Sequence, residues 1–197
     1  MLRGRSGTRR PPTVAPPSGH AGKRSVMAAS SPVPVTTEPY LPGAEGAPVA
    51  WADALAALAG ADWCWLSTTS RDGAPHTVPI LAVVTGGLPH FATGAGTRKT
   101  AHLGVEPRCV LAAQTPELHL VIEGVAERVG DDAMLESACV AYLDRHGWET
   151  EVRDGALHAP EGAPTAGPPP YPVYRLSPTR AFAFPAGVGH VPTRWRF

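Results

Sequence analysis

The chain has 197 residues, 43% of them hydrophobic and 17% charged, so it is long enough to bury the core of one domain. Its 17 basic and 17 acidic residues balance, but six of the basic residues precede the first acidic residue, Glu38. No stretch approaches the ~20 apolar residues that cross a membrane, and three widely spaced cysteines argue against a disulfide scaffold and favour the reducing cytoplasm.

Residues 1–48 differ in composition from the rest of the chain. They are rich in proline, serine and arginine and show no hydrophobic periodicity. We predict that they form a disordered leader and that residues 49–197 form a single domain. Basic arms can bind nucleic acid, but no aromatic side chain is interleaved with these arginines, so we expect no nucleic-acid partner.

The domain opens with a short helix, predicted at 53–61, and continues mostly as strands. Alternating and β-branched patterns predict strands at 63–69, 76–84, 88–93, 108–114 and 118–129. Thr97 is expected to cap a second short helix that Pro107 ends, and Asp131 and Asp132 open a third helix. A loop at 155–170 precedes two short strands within 172–184. This order predicts a mainly β, α+β domain built on an antiparallel barrel with two or three helices.

The segment FATGAGTRKTAHL, residues 91–103, holds the only lysine after residue 24. A glycine-rich turn leads here into a helix N-terminus, where free amides favour an anion. The spacing matches neither a Walker loop, which needs Gly-Lys-Ser/Thr, nor a dinucleotide fingerprint, which needs a long helix. Two interpretations stay open: a phosphate site, or an ordinary capped helix with two exposed basic residues. The candidate phosphate ligands are Thr93, Thr97, Arg98 and Lys99.

Residues 67–113, STTSRDGAPHTVPILAVVTGGLPHFATGAGTRKTAHLGVEPRCVLAA, resemble the flavin-binding split barrel of the pyridoxamine 5′-phosphate oxidase-like proteins. The shared pattern runs from Asp-Gly-x-Pro through an aromatic-Thr-Gly segment and a lysine to Pro-x-Val. VIEGVAERVGD at 121–131 is similar to the family's Glu-Gly-x-Ala strand, and the closing TRWRF is similar to an Arg-aromatic tail of actinobacterial members. The resemblance covers about residues 51–197.

The resemblance implies a homodimeric split barrel that binds FMN in two clefts at the dimer interface. Lys99 falls where the family keeps a phosphate-binding lysine, with Thr93 and Arg98 beside it. Gln114 is expected to face the flavin ring or the partner chain. The residues expected along the ring are His76, Thr77, Val78 and Pro79. The residues expected to cover the partner's cofactor cleft, or to bind an anionic substrate, are Arg194, Trp195 and Arg196.

The implied activity is an FMN-dependent oxidoreductase that transfers hydride to or from a small organic substrate, or a close variant that uses the deazaflavin coenzyme F420. No catalytic residue and no metal site is predicted. His102 stands where the family has asparagine, and the Arg-x-His element of true pyridoxamine phosphate oxidases is absent, so we expect another substrate. The alternative is a non-catalytic flavin- or haem-binding barrel. The axial haem ligand would then be His76, His90 or His119.

Overall fold

The computed structural model describes residues 32–163, 166–187 and 189–197, which form thirteen strands and three helices. The first half of the chain contains β1 (Thr36–Pro39), β2 (Ala47–Pro48), α1 (Trp51–Gly60), β3 (Cys64–Thr69), β4 (Pro75–Ile80), β5 (Ala82–Thr85), β6 (Leu88–Ala92) and α2 (Arg98–Leu103). The second half contains β7 (Arg108–Gln114), β8 (Leu118–Arg128), α3 (Asp132–His146), β9 (Glu151–Arg153), β10 (Ala156–His158), β11 (Val173–Pro185), β12 (His190–Val191) and β13 (Thr193–Arg196).

One antiparallel sheet of nine strands forms the body of the domain, in the order β1-β13-β11-β8-β7-β3-β4, with β5 and β6 joined to it through β11. Strand β11 pairs with β8 along its length and with β6 at its N-terminal end. Since β4 and β5 are separated only by Leu81, the sheet closes on itself as a barrel that is interrupted at this residue. The predicted mainly β fold with three helices is confirmed.

Alternation along the strands produces two apolar cores. The barrel interior holds Leu66, Phe91, Leu111, Ile122 and Leu176, and α1 packs its buried face against it. A second cluster lies between β5, β6 and α3 and extends to the β9–β10 hairpin. Its buried members include Val83, Leu135, Ala138, Tyr142, Leu157, Tyr171 and Val173. Helix α3, which the sequence predicts from Asp131 and Asp132 onwards, therefore packs against the outside of the barrel.

Three predicted strands differ from the observed ones. The strand predicted at 76–84 is two strands, because the chain turns at Leu81 so that β4 pairs with β3 and β5 pairs with β6. The two short strands predicted within 172–184 are one long strand, β11. Pro178 does not end this strand; the register shifts between Pro178 and Arg180 instead. Gly124 permits the close approach there, since a Cβ on it would lie 2.3 Å from the Ser177 carbonyl oxygen.

The predicted leader is too long at its C-terminal end. Residues 36–39 form β1, which pairs with β13, and residues 47–48 form β2, which pairs with β12. Their partners lie near the opposite end of the chain, so no local pattern could indicate these strands. The six basic residues of the leader lie outside the described residues. No helix in the described part of the chain is long and apolar enough to cross a membrane.

Candidate functional site

The junction between β6 and α2 is organised by three threonine hydroxyls. The Oγ1 atoms of Thr93 and Thr97 lie 3.0 Å apart, and Thr97 and Thr100 each donate to the Gly94 carbonyl, at 2.9 and 2.8 Å. Thr97 occupies the N-cap position of α2, but its side chain accepts no hydrogen bond from a backbone N–H of the helix, so the predicted side-chain cap is wrong. These hydroxyls hold the shape of the turn.

The same turn is braced from outside by residues 166–172. Ala95 donates its backbone N–H to the Pro170 carbonyl at 3.2 Å. The Ala166 carbonyl oxygen approaches so closely that a Cβ on Gly94 would lie 1.8 Å from it. Glycine is therefore required at position 94 by packing, because any side chain would push the loop away.

Arg98 and Lys99 form the first turn of α2, where three backbone amides have no helical partner. Arg98 is exposed, whereas Lys99 is half-buried. Neither has an acidic partner among the described residues, in contrast to surface arginines such as Arg108, which pairs with Glu106 at 2.6 Å. Burial lowers the pKa of Lys99 from its ordinary value, because desolvation disfavours the ammonium form.

Lys99 contributes to the wall of a cavity of about 280 Å³ between the β4–β5 bend and the end of α3. On the barrel side the cavity is bounded by Pro79, Leu81 and Ala92. The facing side is largely aromatic. The lining residues on that side are Tyr142, His146, Gly147, Trp148, Ala163, Ala166 and Tyr171. Of the predicted site residues, Lys99 and Pro79 are brought together here.

Tyr142 and His146 fasten the end of α3 to the barrel. The Tyr142 hydroxyl accepts from the Ala92 N–H at 2.7 Å and donates to the Leu81 carbonyl at 3.3 Å, while His146 Nε2 donates to the Ala82 carbonyl at 3.1 Å. Burial raises the pKa of Tyr142, so it stays a neutral phenol. These bonds fix both cavity walls relative to each other.

Trp148 and Tyr171 complete the aromatic wall. Trp148 Nε1 donates to the Gly162 carbonyl at 3.1 Å and the Tyr171 hydroxyl donates to the Gly167 carbonyl at 2.7 Å. The Trp148 ring stands edge-on to Tyr142 and Tyr171, with centroids 5.1 and 5.3 Å away. No local sequence pattern indicates this wall, because its members are far from Lys99 in the chain and carry no motif.

Strand β4 carries the four residues predicted to follow the flavin ring. Its side chains alternate, so His76 and Val78 are half-buried while Thr77 and Pro79 are exposed on the other face. The four side chains therefore do not share one surface. Because β4 is the last strand of its path and, within the described part of the chain, pairs only with β3, no described strand covers the backbone groups of its other edge. A ligand could meet all four residues only along that edge.

His102 stands where the resemblance has asparagine. Its Nδ1 and the Thr68 Oγ1 are joined by a hydrogen bond of 3.1 Å, which ties α2 to β3. The His76 ring lies edge-on to the His102 ring, with centroids 5.5 Å apart. The substituted position thus keeps a hydrogen bond between helix and sheet.

Gln114 lies on a different surface from Lys99. It is exposed at the end of β7 and lines an open cleft on the outer face of the sheet with Trp63, Trp65 and Pro79. Trp63 and Trp65 are 59% and 51% exposed. Pro79 borders both this cleft and the cavity, so the two adjoin.

The C-terminal strand corrects the prediction for residue 195. Trp195 is fully buried in the chain's own core, against Trp51 at 5.4 Å, so it is not available to a substrate or partner cleft. Alternation along β13 turns Arg194 and Arg196 to the opposite face. Arg194 donates to Glu38 from Nε at 3.0 Å and from a terminal nitrogen at 2.8 Å, and Arg196 lies 3.8 Å from the same carboxylate.

The histidines proposed as haem ligands do not line the cavity. His90 is buried on β6, where desolvation lowers its pKa, and His119 is exposed on β8. Burial raises the pKa of Cys64 to about 11 and that of Cys109 to about 12, so both are inert thiols at neutral pH. Within residues 32–163, 166–187 and 189–197, no group of His, Cys, Asp or Glu side chains is placed to hold a metal ion.

Comparison with solved structures gives the same fold at low sequence identity. A haem-binding protein from Mycobacterium smegmatis has a TM-score of 0.56 at 21% identity, over 74% of this chain and 57% of that one. A conserved hypothetical protein from Mycobacterium tuberculosis has a TM-score of 0.54 at 18% identity, over 72% and 88%. General Stress Protein 26 from Bacillus anthracis str. Sterne has a TM-score of 0.52 at 15% identity, over 75% and 98%.

Sequence comparison identifies the family. A search of curated proteins returns no match at a significant level. The sequence profile described as pyridoxamine 5′-phosphate oxidase matches residues 51–183, which is more than half of the chain and includes the β4–β5 bend, the turn before α2, all of α3 and most of β11. The chain therefore belongs to the pyridoxamine 5′-phosphate oxidase family.

Proposed function

We propose that this protein is a flavin-dependent oxidoreductase that binds FMN, or the deazaflavin coenzyme, with the phosphate at Arg98 and Lys99 and the ring beside the β4–β5 bend. The proposal rests on the environment of Lys99. It is a half-buried cation without an acidic partner in the described residues, and it forms part of the wall of an aromatic cavity.

The phosphate assignment follows from the cost of burying charge. A partly desolvated ammonium group is unfavourable unless an anion or strong hydrogen bonds compensate it. A phosphate supplies both, and the adjacent exposed Arg98 adds a second cation with a fork of donors. The helix α2 has only six residues, so we assign the main attraction to these two side chains and the free amides rather than to a helix dipole.

The ring assignment follows from the open edge of β4. Flavin rings have a polar edge of donors and acceptors, and an unpaired strand edge offers the complementary row. Small-molecule pockets usually enclose roughly 300–1,000 Å³, so a cavity of about 280 Å³ is too small for the whole cofactor. We infer that only the phosphate end of the cofactor reaches the cavity, at Lys99, and that the cofactor extends past Pro79 so that its ring lies in the cleft lined by Gln114.

A second copy of the chain would complete that cleft. The outer face of the sheet carries a continuous row of register partners, in which Trp65 pairs with Ala112, Ala112 with Val121 and Val121 with Phe182. Trp65 is half-exposed, and large exposed apolar surfaces of this kind mark interfaces. We propose that a homodimer forms across this face, which would place Gln114 at the boundary between the two chains.

When bound, a flavin supplies hydride transfer to or from a small organic substrate. The residues of this chain would bind and orient it and exclude water. Tyr142 is held as a neutral phenol by burial and by its bonds to the backbone, so we assign it a structural role. No acid–base pair is required of the protein in this chemistry.

Equilibrium titration of FMN and of the deazaflavin coenzyme tests the proposal. We expect wild type to bind one of them, and Lys99→Ala to weaken that binding by ~1.5–3 kcal/mol, the contribution of a charge-assisted contact. Arg153→Ala is the matched control, because Arg153 is an exposed cation on β9 that pairs with Glu151 and should leave affinity unchanged.

Two results would contradict the proposal. One is that neither cofactor binds. The other is that Lys99→Ala and Arg153→Ala behave alike. A Soret band in the purified protein would instead support the haem-binding alternative, and the axial ligand would then have to be sought outside the cavity walls or at His146.

A further inference from the structure

The two sides of the cavity differ in charge. We call the aromatic side the α3 wall and define it by Tyr142, His146, Trp148 and Tyr171. The barrel side carries the half-buried Lys99. The α3 wall carries no Lys or Arg among the described residues. A molecule that enters this cavity therefore meets a cation on one side and aromatic rings on the other.

The hydrogen-bond donors of the α3 wall are already used. The donors on Trp148 and Tyr171 go to backbone carbonyls, as do those on Tyr142 and His146. A ligand on this wall would lose its hydration without gaining a strong donor. Because an ionised group pays a large desolvation cost without such a partner, the wall disfavours charge.

The nearest arginine of α3 is turned away from the cavity. Arg145 donates from Nε to the Ala59 carbonyl at 2.9 Å, and one of its terminal nitrogens donates to Gly60 and Asp62 at 2.5 and 2.7 Å. It thereby caps the C-terminus of α1, whose last carbonyls have no helical partner. The only arginine of α3 therefore has a structural role and does not face the cavity.

We propose that the α3 wall binds an uncharged, planar aromatic substrate, held chiefly by Trp148 and Tyr171, and that it rejects substrates bearing a phosphate or carboxylate. The site has room for such a molecule, since a cavity of about 150 Å³ accommodates benzene and this one measures about 280 Å³. The inference rests on the proposed function in one respect: the bound molecule is a substrate only if a flavin binds beside it.

A matched pair of probes tests the charge preference. Naphthalene-2-carboxamide and naphthalene-2-carboxylate have the same shape and differ in charge at neutral pH. Their affinities for the full chain, with and without saturating FMN, are measured by calorimetry. When FMN is saturating and its phosphate occupies Lys99, the carboxamide should bind at least about tenfold more tightly than the carboxylate, the equivalent of one unpaired polar group. Equal or tighter binding of the carboxylate in that state overturns the proposal, because the α3 wall would then accept charge.

Two variants locate the probe on the α3 wall. Trp148→Leu should weaken carboxamide binding by about tenfold, because it removes the aromatic surface. Ala163→Leu narrows the cavity from the same side without removing a core residue, and it should block the probe while the protein stays folded. Val140→Ala, on the exposed face of α3, is the control. Carboxamide affinity that survives both cavity variants overturns the proposal.

Failure of this inference differs from failure of the proposed function. If FMN binds and the carboxamide does not, the α3 wall is not a substrate site although the flavin assignment stands. If FMN abolishes carboxamide binding, the ring itself occupies the cavity and the inference is overturned. If the carboxamide binds with the expected variant pattern but neither flavin cofactor binds, the proposed function fails and the aromatic site remains.

Discussion

The C-terminal strand β13 and the turn before α2 both place basic side chains where the sequence predicts an anion site, yet their surroundings differ. In β13, Arg194 and Arg196 share the carboxylate of Glu38, and Trp195 between them is buried in the barrel. At α2, Arg98 and Lys99 have no acidic partner among the described residues. The first pair of cations is neutralised within the chain and the second is not.

This difference separates structural cations from candidate ligands. An arginine that already has two hydrogen bonds to a carboxylate gains little from an added anion. A half-buried lysine without such a partner gains both charge compensation and hydrogen bonds. We therefore expect changes in β13 to alter stability and changes at α2 to alter binding, and the following variants test that division.

The largest effect is expected at Trp195. The substitution Trp195→Ala leaves a cavity at a fully buried position beside Trp51. It should lower the free energy of unfolding by about 3–5 kcal/mol. Urea denaturation measures this change. FMN affinity of the folded fraction should stay the same, and a selective loss of FMN affinity with normal stability would return Trp195 to the binding site.

An intermediate effect is expected from alkaline pH. Burial lowers the pKa of the free Lys99, and a bound phosphate would raise it. FMN affinity is therefore highest below the pKa that Lys99 has in the free protein. The contribution of Lys99 is lost as pH rises through the pKa that Lys99 has in the complex. FMN titrations from neutral pH up through the ordinary pKa of lysine, about 10.4, should show this loss in wild type. Lys99→Arg should retain its affinity, because arginine stays protonated. Parallel curves for the two proteins would exclude Lys99 as the titrating group.

The smallest effect is expected at Arg194. This side chain is partly exposed and pairs with Glu38, so Arg194→Ala should cost only ~0.2–1 kcal/mol of stability. FMN affinity should be unchanged, as should that of Glu38→Gln. A clear fall in FMN affinity for Arg194→Ala alone would place this arginine in the cofactor cleft of a partner chain, as the family resemblance predicts.

The sequence predicts the fold well where elements follow local patterns. The alternation in β3 and β8 and the capped helix α3 identify a mainly β domain, and the structure confirms it. The bend at Leu81 is not predictable, because it follows from closure of the barrel and not from residues 76–84 themselves. Strand β1 is missed for a related reason, since the sheet partner it has among the described strands is the distant β13.

Some residues of the candidate site can be predicted from local sequence and others cannot. Lys99 is recognisable because it is the only lysine after residue 24 and follows a glycine-rich turn. Trp148 and Tyr171 are not, because they reach the cavity only when α3 packs on β5 and the chain returns along β11. The burial of Trp195 depends on the pairing of β13 with β11, which no local pattern indicates.

If Lys99 contacts the cofactor phosphate, its removal should affect the binding of FMN and not the binding of riboflavin. Both ligands carry the same ring, and only FMN carries the phosphate. Dissociation constants are measured for wild type and Lys99→Ala with each ligand. We expect the substitution to weaken FMN binding by ~1.5–3 kcal/mol and to leave riboflavin binding unchanged. Equal losses for the two ligands would contradict the account, because Lys99 would then support the ring or the fold and not the phosphate.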